Sequence, residues 1–77
     1  IMPRRKPYPR NKDIRQAIIE VLNEGLIYPQ ELIEEVKKKL EERGFYAGLV
    51  STKRIWRLYE EMVRKGFIPD YLDVVKG

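Results

Sequence analysis

The sequence predicts an α+β fold of three helices, one short strand and a C-terminal β-hairpin. Three observations carry that expectation. Apolar residues recur at helical spacing in three separate windows. Each window closes on an apolar residue, a glycine four positions later and an apolar residue directly after: Val21/Gly25/Leu26, Leu40/Gly44/Phe45 and Met62/Gly66/Phe67. That spacing suits a Schellman-type ending, in which a left-handed glycine stops the helix and the next residue packs back on its last turn. Finally, two short β-prone runs, Phe67-Ile68 and Tyr71 to Val75, flank Pro69-Asp70, a pair suited to a tight turn.

The elements follow in chain order. Residues 1–10 hold Pro3, Pro7 and Pro9 among basic residues, a spacing that forbids a helix and favours extended backbone. They read as a basic, flexible arm that becomes ordered on binding, ahead of a single domain over 11–75. Asn11 is placed to cap the first helix, with Asp13 in its first turn. Ile14, Ala17, Ile18, Val21 and Leu22 form its core-facing stripe. Leu26-Ile27-Tyr28 is the expected short strand. Pro29 opens the second helix, where a missing N–H costs nothing, and Glu31 sits where a capping acid reaches back. Leu32, Ile33, Val36 and Leu40 are its buried stripe. Lys37-Lys38-Lys39 spans about 200° of the helix and makes no single patch. Glu34, Glu35, Glu41 and Glu42 are in range to pair with these lysines. Ala47-Gly48 suits a bend before the third helix, residues 51–65. Ser51 is its N-cap and Ile55, Leu58, Tyr59 and Met62 its buried side, with Phe67 expected to fold back on Met62. Trp56 borders that side and reads as core.

Composition excludes several function classes. Seventy-seven residues make one small domain with a thin stability margin. Without cysteine or histidine there is no disulfide, no thiolate or imidazole metal ligand and no histidine base. No acid–base pair, metal cluster or phosphate-cradling glycine loop stands out, so neither an enzyme nor a cofactor is expected, nor a small-molecule substrate. No apolar run approaches a membrane span and no signal peptide is evident. The expected location is cytoplasmic, in association with DNA. High Lys, Arg and Glu with little Asn or Gln resembles thermophile composition.

The formal net charge is +4, but its distribution is more informative. Residues 1–12 carry five basic groups and no acid, and residues 51–66 carry five basic groups against two acids. Residues 13–50 are net acidic. Positive charge therefore gathers in the arm and the third helix, a pattern that suits a polyanion. On the third helix Lys53 and Arg57 lie opposite the apolar side, one turn apart. Arginine in that setting can bond O6 and N7 of guanine.

The order of arm, helix, short strand, helix, turn, helix and hairpin resembles the winged helix-turn-helix family of DNA-binding domains. The stretches that carry the likeness are Tyr28-Pro29-Gln30-Glu31-Leu32-Ile33, Ser51-Thr52-Lys53-Arg54-Ile55-Trp56-Arg57-Leu58 and Glu61 to Ile68. The chain looks most like the very small basic transcription factors of archaeal (crenarchaeal) viruses and plasmid–virus hybrids. The resemblance implies sequence-specific binding of double-stranded DNA, transcription regulation, and a third helix lying in the major groove. Carried over, Thr52, Lys53 and Arg57 face bases. Ser51, Arg54 and Arg64 on the helix, with Arg4, Arg5, Lys6, Arg10 and Lys12 before it, meet phosphates. A homodimer on a two-fold site is one form this DNA binding can take. Two features depart from the family: a long connection before Ser51 and an acidic hairpin tip at Asp70. The alternative is a protein–protein interaction module of the same fold without base readout, with the acidic second helix as its surface.

Overall fold

The computed structural model describes residues 6–25 and 28–75. Three helices make up the regular structure: α1 (Asn11–Asn23), α2 (Leu32–Glu42) and α3 (Thr52–Arg64), with a 3₁₀ turn, Pro29–Glu31, leading into α2. The apolar stripes meet as the periodicity requires. Ile14, Ala17, Ile18, Val21 and Leu22 of α1 are buried against Leu32, Val36 and Leu40 of α2 and Ile55, Leu58, Tyr59 and Met62 of α3. Ile33 packs only at the margin of this core. Ala47 and Val50, from the α2–α3 connection, and Ile68 and Leu72, beyond α3, complete it. Helix α1 packs against both other helices and so stands at the centre of the fold.

The helix ends show what local chemistry stops and starts each one. At α3, Ser51 Oγ accepts from the Arg54 N–H at 3.0 Å. At the 3₁₀ turn, the Glu31 carboxylate accepts from the Tyr28 N–H at 3.1 Å. The start of α1 differs from expectation. Arg10 holds the N-cap position with extended backbone, and the Asp13 carboxylate accepts from its N–H at 2.9 Å. Asn11 is the first helical residue, which leaves its side chain for another partner. Two helices end in full Schellman geometry: Phe45 N–H to Leu40 C=O and Gly44 N–H to Glu41 C=O, then Phe67 N–H to Met62 C=O and Gly66 N–H to Val63 C=O. The closing residue at Gly25, Leu26, lies outside the described residues, and Gly25 takes φ 150 rather than the 88 and 79 of Gly44 and Gly66.

The α+β expectation is overturned. Among the described residues there is no strand, and the fold is three packed helices. Of the expected short strand, Leu26 and Ile27 lie outside the described residues, while Tyr28 is exposed and caps the 3₁₀ turn. The expected β-hairpin wing is a string of irregular turns, for a reason visible in its hydrogen bonds. Strand pairing needs free backbone donors, and here side chains have taken them. The Tyr59 hydroxyl accepts from the Leu72 N–H at 3.1 Å. The Asp70 carboxylate accepts from Val74 and Val75 at 3.3 and 2.8 Å. Asp73 turns the chain with φ 54. Phe67 differs too: its backbone closes on Met62, but its ring is 69% exposed and Ile68 takes the buried position.

Candidate nucleic-acid interface

The interface is built on the face of α3 that the core does not use. With Ile55, Leu58, Tyr59 and Met62 inward, a 3.6-residue period turns Lys53, Arg57, Glu60 and Arg64 outward in one row. Ser51, Lys53, Arg54, Trp56, Arg57 and Glu60 line a shallow open depression along this row. Trp56 is half-buried at its edge and meets the Tyr59 ring edge-on, with centroids 5.7 Å apart. Val74 and Val75 from the C-terminal segment border the same edge beside Trp56 and Glu60.

Lys53 and Arg57 are exposed, and neither is ion-paired to a carboxylate among the described residues. Thr52 is exposed at the first helical position. Arg64 is paired: its guanidinium meets the Glu60 carboxylate at 2.8 Å, one turn back. The Ser51 oxygen is already engaged as the N-cap.

Arg54 is engaged in a way the sequence did not suggest. Its Nε and Nη2 donate to Asn11 Oδ1 at 3.0 and 2.8 Å, and Nη2 also reaches the Pro9 carbonyl at 3.4 Å. This single guanidinium joins α3 to the end of the basic arm. The only sequence signal was an asparagine at a helix start, which reads more simply as a cap.

The described part of the arm, Lys6 to Arg10, lies along the protein. Tyr46 N–H donates to the Pro7 carbonyl at 2.8 Å, and the Tyr8 and Tyr46 rings meet edge-on at 5.6 Å. Pro9 is buried. Lys6 comes within 3.9 Å of Glu41 at the end of α2. Arg10 and Lys12 are exposed where the arm joins α1. Arg4 and Arg5 lie outside the described residues.

Away from α3, part of the basic charge is paired. Lys39 meets Glu24 at 2.5 Å and Glu42 at 3.7 Å, and the Glu24 contact holds its ammonium pKa above the ordinary value. Arg43 pairs with Glu20. Lys37 and Lys38 make no ion pair among the described residues, so of the three lysines only Lys39 pairs with a glutamate of its own helix, Glu42. No group of three or more metal-ligating side chains occurs among the described residues, and no helix there is long and apolar enough to cross a membrane. No protein-family model, curated protein or solved structure matches this chain.

Proposed function

We propose that this protein binds double-stranded DNA in a sequence-dependent way, as a transcription regulator does, with α3 in the major groove. One observation carries the reading. On the outward face of α3, Lys53 and Arg57 stand exposed one turn apart, and neither makes an ion pair among the described residues. Leaving two like charges side by side gains nothing for stability, but it suits a ligand that brings negative charge. An α-helix fits the major groove, where arginine reads guanine through O6 and N7. In this reading Arg57, Lys53 and Thr52 address bases. Lys6, Arg10 and Lys12, preceded in the sequence by Arg4 and Arg5, address phosphates on either side.

The test is binding to the DNA upstream of the protein's own coding sequence, against a random duplex of equal length, at low and near-physiological salt. Preference for the upstream DNA that survives salt supports the reading. Arg57→Ala should then weaken preferred DNA by about 1–3 kcal/mol and random DNA far less. Arg10→Ala should weaken both alike. Equal loss on both duplexes in the Arg57 variant removes that residue from base readout. No binding at either salt sinks the proposal and points to a protein partner.

A further inference from the structure

We propose that Arg54 is a positioning residue: it does not itself hold DNA but fixes Arg10 beside the first turn of α3, so that arm and helix engage one DNA segment as a rigid unit. This rests on the DNA-binding reading above.

Three observations place Arg10 in a vise. The residues on either side of it, Pro9 and Asn11, are both bonded by the Arg54 guanidinium. Its own N–H is taken by the Asp13 carboxylate at 2.9 Å, and its carbonyl accepts from Asp13 and Ile14 at 2.9 and 3.0 Å. Pro9 before it is buried. The backbone of Arg10 is thus fixed at every polar atom it has, while its side chain is exposed with no ion pair among the described residues. Arg54 is the opposite case. It is half-buried, and its Nε and Nη2 donate to two acceptors within the protein. A planar fork can span two such acceptors; a lysine ammonium cannot reproduce that geometry. A charge held in place before binding loses less entropy on meeting phosphate than one on a loose chain.

The consequence is separable from a direct phosphate contact. Wild type, Arg54→Lys, Asn11→Ala, Arg10→Gln and the double variant Arg10→Gln/Arg54→Lys would be titrated with the upstream duplex across a salt series. Circular dichroism melting would set a temperature at which every variant is folded. Arg54→Lys keeps the charge and Asn11→Ala removes none. Each should nonetheless weaken binding by about fivefold and lower the salt slope by about 1, as one lost phosphate contact does. Arg10→Gln should do the same, and the double variant should bind no worse than Arg10→Gln alone. Wild-type affinity and slope in Arg54→Lys, or losses that multiply in the double variant, would overturn the positioning role. Wild type that binds no DNA would overturn the underlying reading, an outcome distinct from a wild type that binds and an Arg54→Lys that matches it.

Discussion

Tyr59 shows how one atom anchors the segment that follows its own helix. Its ring is fully buried among the α3 core residues, while its hydroxyl donates to Asp70 at 2.6 Å and accepts from Leu72. Tyr59→Phe keeps the ring but leaves the buried Leu72 N–H without that partner, at an expected cost of about 1–3 kcal/mol in urea unfolding. The pair also sets two pH windows. Burial, reinforced by the Asp70 carboxylate, pushes the Tyr59 phenol from 10.0 up to about 12. A pKa raised on folding contributes stability that is full below pH 10 and is lost as pH rises toward 12. The Tyr59 hydroxyl, with the Val75, Val74 and Asp73 N–H groups, holds the Asp70 carboxyl below its ordinary 3.8 against the effect of burial. A pKa lowered on folding contributes stability present above 3.8 and lost as pH falls through the lowered value. Protection of the Leu72, Val74 and Val75 amides, taken relative to the intrinsic exchange rate at each pH, should therefore fall at the acid end, and Asp70→Asn should remove that dependence. Protection factors indifferent to acid in the wild type would show that the carboxylate does not hold the segment.

At the scale of the element, the two Schellman endings place Gly44 and Gly66 at φ 88 and 79 with open space where a Cβ would stand. The cost of alanine there is conformational rather than steric crowding. Gly44→Ala and Gly66→Ala should each lower stability by about 1–2 kcal/mol, or roughly 4–8 °C in Tm per kcal/mol for a domain this small. Unchanged melting would mean that the chain re-routes after the helix. The apolar stripes of α1 and α3 were fully legible in the sequence because 3.6-residue spacing reports burial directly. The segment after α3 was not. Val74 and Val75 carry high β-propensity, but propensity reflects fit to a sheet that must exist nearby. Here Asp70 and Tyr59 bond the same backbone donors first. The Asn11–Arg54 link was equally hidden: 43 residues separate the partners, and no local pattern encodes such a pairing. The outward row on α3 was legible as charge, though not that Arg54 turns aside from it while Lys53 and Arg57 stay in it.

For the whole molecule the decisive feature is that α1 lies between two helices. Ile14, Ala17 and Ile18 are fully buried, and α2 and α3 each lean on α1. All three helices contribute to one core cluster, so the three should unfold together. A chain of this length is held by about 4–12 kcal/mol in total. Ile18→Ala, which removes fully buried methyl groups, should cost about 2–5 kcal/mol, a large share of that sum. Leu49→Ala, at a side chain 70% exposed, should change stability little. Two probes make the test sharp. Trp56 fluorescence reports on α3 and the C-terminal segment beside it, while far-ultraviolet circular dichroism reports on all three helices. In Ile18→Ala both should shift to the same lower urea midpoint. If the fluorescence transition stayed at the wild-type midpoint while helicity fell, α3 would have a stability of its own and α1 would not be the centre of the fold. That distinction bears on the proposed interface, because an α3 held only through α1 keeps its outward basic row in place only while the entire core is intact.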